Sequence, residues 1–565
     1  MAVSDRRLAA GALVACLALA VLHTWPLAAN PGGLSRHDNA DTMLNEWAVA
    51  WVAHQAPRAP LHLFDANIFF PEPRTLAFSE HLVVQGAMAA PVSWLGASPV
   101  LAYNLLVVAG LALSAWAMWV VVRRWTGSTA AGAVAGSLLA FNAHTLTRLP
   151  HVQALHLEFL PFVLLALDNL LVRRRVRDAV MLGVAAALQA LTSNYLLVFT
   201  AVAVAVAALA RGAEWVRPAP GRTVALFTLA SGIGALLVAP FLYPYYAAQH
   251  EQGLTRTLDE VARYSSTWRD YLSTAGRLHY AWWSHRFAEG TTALFPGAAA
   301  TALALIGLLA APGWRDPRIR MVAAIGVVGL ALSFGPALPG YSALYRWVPL
   351  LQGVRGAARF GFLLLVAVAV LAGYGVAAIH ARVGSGRRWP AMVALIFVVV
   401  NAEALRAPLT FRPFAGIPRI YRSLRDPSVA AVAEFPFYTP ATILRNAPYV
   451  LNSTAYWKPL VNGYSGFVPR RYAGIADALR GFPDERSHAQ LVALGVTHVV
   501  VHLDAFGERA AAMHGALSTS PWLTLVAFEN QVRIYRVGDL LTLTGFGRAE
   551  GTGVPGFSPA PYRRR

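Results

Sequence analysis

Across the first 406 positions, eleven windows of 15 to 23 residues carry almost only apolar side chains, and the polar residues collect between them. They run roughly over 7–27, 99–121, 128–143, 155–172, 178–192, 195–210, 223–243, 292–311, 320–338, 359–379 and 390–406. A helix needs about 20 apolar residues to cross a bilayer core. The pattern therefore predicts a polytopic α-helical membrane protein with about eleven transmembrane helices over residues 1–406. Windows 178–192 and 195–210 are short and joined only by Ser193 and Asn194, which predicts a tight helical hairpin. The first window follows Arg6 and Arg7 as a signal peptide would, but its apolar run continues past Cys16 and ten windows follow, so it reads as a span.

Beyond residue 406 the long apolar runs give way to mixed sequence with strand and helix signals. Strands are predicted over 429–437 and 496–502, and a hairpin over 523–529 and 532–537 around Asn530 and Gln531. Helices are predicted over 471–481, 487–494 and 505–517. This describes a soluble α/β domain over 407–540, followed by a Gly/Pro-rich segment, 541–565, that reads as a disordered tail.

Composition sharpens this reading. The chain has 565 residues, 56% hydrophobic and 13% charged, with a mean hydropathy of +0.48. A soluble protein is roughly 25% charged, so a water-soluble globule is excluded. The formal net charge is +19, from 47 basic and 28 acidic residues. On a soluble chain that surplus would suggest nucleic acid; here the arginines sort by loop. Seventeen of them sit in short connectors, among them Arg123, Arg173, Arg211, Arg315 and Arg387, while the longer opposite loops hold about 12. The positive-inside rule then puts the N-terminus in the cytoplasm and the C-terminal domain outside. Lys458 is the only lysine, and the arginine and alanine bias points to a GC-rich bacterial genome and hence to the bacterial cytoplasmic membrane. The single Cys16 excludes a disulfide framework.

Candidate chemistry lies in the outer loops. In the first, 28–98, Asp38 and Asp41 stand near His37 just after the first span. Such carboxylates act as a general base or hold a divalent cation such as Mg or Mn; equally, Asp38 or Asn39 caps the next helix and Asp41 lies in its first turn. Two stretches after them, 41–55 with Trp47 and Trp51 and 61–70 with further aromatics, read as amphipathic helices lying in the headgroup layer. Glu80 and His81 end the loop, as a second polar cluster or as a solvated turn. Between the third and fourth windows stand Asn142, His144, Arg148, His151, Gln153, His156 and Glu158, whose spacing does not match a helical two-histidine zinc site. Arg355 and Arg359, four apart, share one face if helical and suit a phosphate of a lipid or a substrate. The aromatic-rich stretch 244–290 reads as an interfacial lid. In the C-terminal domain, Tyr464 sits in the loop Asn462 to Phe467, which suits sugar stacking or a plain turn.

With these residues in view, the chain resembles the GT-C superfamily of polytopic glycosyltransferases, which use polyprenyl-phosphate sugars. The resemblance covers about the first 400 residues. It rests on the acidic cluster Asp38 to Asp41 in a long first outer loop, the two amphipathic stretches after it, the later outer acidic and histidine positions, and a soluble domain outside. It implies that Asp38, or Asp41 as the alternate, is the catalytic aspartate, with Glu80 a further acidic site residue. It also implies that Arg359 and Arg355 bind the donor's phosphate, and that His81, His151, His156, Glu158 and Tyr464 contact substrate. Several members carry a tighter acidic pair than this chain, whose two intervening residues leave the choice between Asp38 and Asp41 open. The function expected is transfer of a sugar from a polyprenyl-phosphate donor to a glycan, lipid or protein acceptor, in contact with membrane lipids and without nucleic acid. The alternatives are a transporter or flippase of lipid-linked sugars and a non-catalytic membrane assembly protein. A transporter buries ionisable groups near mid-membrane, and these windows hold almost none.

Overall fold

The computed structural model describes residues 3–217, 219–253, 256–287, 292–310 and 313–538; the segment expected as a disordered tail, 541–565, lies outside the described residues. Each of the eleven apolar windows holds a helix: Val3–Thr24, Pro99–Thr126, Thr129–Ala140, Phe159–Arg173, Val176–Thr192, Asn194–Ala210, Pro220–Gln252, Ala298–Leu309, Pro317–Ser333, Gly361–Val383 and Trp389–Ala404. Among the described residues, five helical stretches are long and apolar enough to cross a membrane: Asp5–Thr24, Pro99–Thr126, Val152–Arg173, Pro220–Gln252 and Ala357–Val383. The rest are shorter. Thr129–Ala140, at about 1.5 Å per residue, rises only about 18 Å. It lies inside the bundle, with Ala131, Val134, Ala135 and Leu139 fully buried. Its ends find partners within the protein: Ser128 Oγ accepts from the Ala131 N–H, and Asn142 Nδ2 donates to the carbonyls of Leu138 and Leu139.

Small residues let the helices close up. A Cβ on Gly307 would fall onto the Leu371 carbonyl, and one on Gly375 onto that of Leu303, so Ala298–Leu309 and Gly361–Val383 meet backbone to backbone. The arginine-rich connectors gather at one end of the bundle. There Arg123 reaches Asp5 at 3.0 Å, Arg174 donates to the carbonyls of Glu214 and Arg217, and Asp168 joins Arg211 and Arg318. The long loops meet at the other end, where Glu80 contacts Ser193 and Arg406 donates to the Leu146 carbonyl.

The first loop departs from the headgroup-layer expectation. Ala40–Gln55 is helical, but twelve of its sixteen residues are buried, Trp47 and Trp51 among them. Trp47 Nε1 donates to Asn67 Oδ1 at 3.1 Å and Trp51 Nε1 to the Leu63 carbonyl at 2.8 Å, so the indoles anchor a protein core instead of lying in lipid. The 61–70 stretch is not a helix beyond the short turn Pro60–His62. Its backbone pairs with the C-terminal domain: the Phe69 and Phe70 N–H groups donate to the carbonyls of Asn462 and Leu460, and the Leu460 N–H to that of Asn67. The second helix of this loop is Val83–Trp94, from a stretch that reads simply as apolar. The stretch expected as a lid also divides: 244–252 belongs to the helix Pro220–Gln252, and its other described residues include the short helices Leu258–Arg263 and Arg277–Trp282.

Two strands clasp the first loop to the chain leaving the bundle: β1 (Leu34–Ser35) pairs antiparallel with β2 (Arg412–Pro413). The C-terminal domain carries β3 (Val432–Phe435), β4 (His498–His502), β5 (Leu523–Glu529) and β6 (Val532–Val537) in the order β3-β4-β6-β5, with β3 and β4 parallel and the other pairs antiparallel. The hairpin falls where its turn residues predict, with Asn530 at φ 52°. One face of the sheet packs on Leu479, Phe482, Leu491 and Trp522. Val432, Val500 and Ile534 belong instead to the cluster that holds Trp47, Ile68 and Phe69, so the sheet and the first loop share a core.

Candidate functional site

The seam between that shared core and the bundle holds the polar residues singled out above. Asn39 caps the helix Ala40–Gln55, its side chain accepting from the Asp41 N–H at 2.9 Å. Asp41 thus stands in the first turn with its carboxylate 40% exposed. Tyr464, arriving from the C-terminal domain, donates its O–H to Asp41 Oδ1 at 2.6 Å, and His151 Nε2 lies 3.5 Å from Oδ2. Burial and Asp41 both push the Tyr464 hydroxyl up, so it stays a donor. Asp38 has a different setting. Arg36 Nε and Nη2 each donate to its carboxylate at 2.9 Å, a forked pair that holds its pKa below the ordinary value.

Beneath His151 a cavity opens between the helices. Its polar lining is Glu80, His144, Arg148, His151, Gln153, Ser193, Tyr195 and Arg359, and its apolar wall is Leu157, Leu196, Phe199 and Phe362. Glu80 is anchored at the start of the helix Asn194–Ala210, accepting from Ser193 Oγ at 3.1 Å and from the Asn194 N–H at 2.8 Å. Burial pushes its carboxyl up, against the pull of these donors and of Arg359. The Arg359 guanidinium lies 4.2 Å from the centre of the Tyr195 ring. Burial and the neighbouring Arg359 press Arg148 down to about 9, which leaves it cationic at neutral pH. Burial and Arg359 likewise lower His151 to about 4, so it is neutral there. Arg148 Nε, His144 Nδ1, His151 Nδ1 and Gln153 Oε1 are all buried without a hydrogen-bond partner. Buried polar atoms are normally paired. Two cations and three unused donor-capable nitrogens around one space fit an anion.

Of the residues taken from the sequence, Glu80, His151 and Arg359 line this cavity, and Asp41 and Tyr464 adjoin it through His151. The others stand apart. His81 packs among Phe64, Phe241 and Tyr245, its Nδ1 accepting from the Val83 N–H. His156 Nδ1 bonds Glu158 Oε1 at 2.8 Å inside the helix packing. Arg355 and Arg359 do not share a helical face. Regular helix stops at Gln352, Gly356 is non-helical, and only Ala357–Phe360 resumes as a 3₁₀ turn, so Arg355 lies instead over the Tyr264 ring at 4.9 Å. His144, Arg148 and Gln153, from the same polar loop as His151, are also in the lining, and Tyr195 is the part of it that sequence reasoning did not select; its place after the hairpin turn is the one available signal. As for a cation, no group of three His, Cys, Asp or Glu side chains among the described residues is arranged to hold one, and Asp38 is taken up by Arg36.

The fold is that of a multi-pass helical membrane protein with an α/β C-terminal domain. No family model matches the chain, and no curated protein matches it by sequence. Among solved structures, it aligns with the archaeal oligosaccharyltransferase AglB from Archaeoglobus fulgidus, in complex with an inhibitory peptide and a dolichol-phosphate, at TM-score 0.44 and 14% identity over 90% of this chain and 71% of that one. A second structure of the A. fulgidus oligosaccharyltransferase, tethered to an acceptor peptide with the NVT sequon, aligns at TM-score 0.44 and 14% identity over 89% and 70%. Likeness this distant carries no functional argument, and the reading that follows rests on this chain's own residues.

Proposed function

We propose that the protein is an integral-membrane glycosyltransferase of the GT-C type that moves a sugar from a polyprenyl-phosphate donor to an acceptor at the outer face of a bacterial cytoplasmic membrane. The observation that carries this reading is the cavity in which Arg148 and Arg359 converge without an ion-pair partner among the described residues, one residue, His151, away from the carboxylate of Asp41. Two guanidiniums in a partly closed space suit the donor's phosphate, while its lipid stays in the bilayer. In the reaction, Asp41 takes the proton from the acceptor hydroxyl as its oxygen forms the new bond to the sugar's anomeric carbon. The bond from that carbon to the phosphate oxygen breaks, and its electron pair leaves with the phosphate, where Arg359 and Arg148 stabilise the added charge. Tyr464 orients the base through its 2.6 Å hydrogen bond. Asp38, already neutralised by Arg36, is the weaker candidate for the base, and no step is routed through a cation.

Membranes carrying the protein should transfer labelled sugar from a polyprenyl-phosphate donor. Asp41→Asn should lower the rate by about 10²- to 10⁴-fold, the usual worth of a general base, and Asp38→Asn should keep most of it. Unchanged turnover in Asp41→Asn sinks the assignment. Translocation of the lipid-linked sugar in reconstituted vesicles, unaffected by Asp41→Asn, would favour a transporter instead.

A further inference from the structure

Arg359 needs something to hold it in the cavity. Its stem is long and flexible, fixing it costs side-chain entropy, and Arg148, a like charge in the same cavity, repels it. The backbone is secured: in the turn Ala357–Phe360 the residues Ala357, Ala358 and Phe360 are buried, and the Ala358 N–H donates to the Tyr264 carbonyl at 3.1 Å. The guanidinium is held differently. Among the described residues it makes no ion pair and no side-chain hydrogen bond. What it meets is the face of Tyr195, its central carbon 4.2 Å from the ring centre.

The ring is itself fixed from two sides. Ser193 Oγ caps the helix Asn194–Ala210 by accepting from the Tyr195 N–H at 3.1 Å, and Glu80 holds the turn through Ser193 Oγ and the Asn194 N–H. Phe199, one helical turn further, has its ring centre 6.1 Å from that of Tyr195 and 4.8 Å from that of Phe360. The element bearing the ring and the element bearing the arginine are thus packed together at this point. Glu80 lines the same cavity but spends both oxygens on the turn. The kind of partner matters. A carboxylate bonded to Arg359 would cancel its charge and occupy its N–H groups, whereas an aromatic face attracts the cation through its quadrupole and leaves those groups to a ligand.

We propose that Tyr195 is a positioning residue of the anion site: its ring holds the Arg359 guanidinium at the cavity, charged and with its N–H groups free for the phosphate of the donor. The assignment rests on the glycosyltransferase reading and adds to it the residue that makes Arg359 competent.

The test uses the purified full chain in detergent, with farnesyl phosphate as the binding probe and a labelled polyprenyl-phosphate sugar for transfer. Tyr195→Leu should weaken farnesyl phosphate about tenfold, the worth of one cation–aromatic contact out of water, while Tyr195→Phe, which keeps the ring, should stay within about twofold of the wild type. Pentafluorophenylalanine at position 195 keeps the shape of the ring but draws charge off its face, and it should behave like Tyr195→Leu even if that variant folds poorly. In an Arg359→Ala background Tyr195→Leu should weaken binding no further, and in an Arg148→Ala background it should keep its full effect. A ring that only supports the fold would cost the same in both. An equal loss in both backgrounds therefore overturns the proposal, as does a fluorinated ring that binds like the wild type. Binding that follows the expected pattern in a protein that transfers no sugar supports Tyr195 in this role and overturns the parent reading alone. Farnesyl phosphate that binds Arg359→Ala as tightly as the wild type overturns the anion site and this assignment with it.

Discussion

At one end of the bundle Arg211 Nη1 meets Asp168 Oδ1 at 2.6 Å, Arg318 Nε and Trp125 Nε1 meet Oδ2 at 2.9 and 3.1 Å, and Arg211 also grips Glu214. At the other end Arg148 and Arg359 share a cavity with Glu80, whose oxygens already serve Ser193 and Asn194. Both regions bring arginines in among apolar helices, fully buried at Arg211 and half-buried at Arg148 and Arg359, and burial alone does not tell their roles apart. Pairing does. In the first, opposite charges compensate one another and tie the helices Pro99–Thr126, Phe159–Arg173 and Pro317–Ser333 together. In the second, cationic and polar atoms are left without partners, an arrangement that costs stability unless a ligand completes it.

Substitutions at the two ends should therefore fail in opposite ways. Asp168→Ala leaves the fully buried Arg211 with Glu214 as its one carboxylate partner among the described residues and takes a partner from Arg318. Breaking a buried pair from one side costs about 3–5 kcal/mol, so unfolding in detergent, followed by heating or denaturant, should show a loss of that order. An unfolding curve that matches the wild type would remove the structural role. Arg359→Ala should do the reverse. Transfer should fall about 10²- to 10³-fold, as for loss of one group that stabilises charge in the transition state, with stability held or raised because an unpaired cation is gone. If Arg359→Ala unfolds as readily as Asp168→Ala, the contrast between the two ends is wrong.

The helices of both ends were legible in the apolar windows, because hydrocarbon-facing and bundle-facing helices obey the same apolar rule. Length was less so: Thr129–Ala140 is a short helix because neighbours surround it, which no local window records. Arg359 and His151 could be chosen from their loops, but their meeting depends on the hairpin turn at Ser193 delivering Tyr195 and on Glu80 anchoring it, contacts between positions more than a hundred residues apart. Trp47 and Trp51 misled for the same reason. Their spacing is that of an interfacial helix, and only the arrival of 453–462 from the far end of the sequence turns that face into a core. Asp38 and Asp41, three residues apart, are told apart by Arg36 and Tyr464, one local and one 423 residues away.

The smallest effect separates two histidines that the sequence grouped together. His81 and His151 are each held down to about 4, His81 by burial and His151 by burial and Arg359, but only His151 faces the cavity. His81 sits in an aromatic cage and uses Nδ1 to accept from the Val83 N–H, so protonation would expel both the neutral ring and that bond. The unfolded chain takes up this proton near pH 6.5, its ordinary value, and the folded chain not until about 4. Stability is therefore full above pH 6.5 and falls as the pH drops toward 4, by about 2 kcal/mol at pH 5 for this one group. His81→Leu should unfold more readily at pH 7.5, having lost the Val83 contact, yet lose less on acidification to pH 5 while retaining sugar transfer. Unfolding curves of wild type and variant that shift in parallel with pH would show that the cage does not set the acid response. A loss of transfer in proportion to Arg359→Ala would move His81 into the site from which its contacts now exclude it.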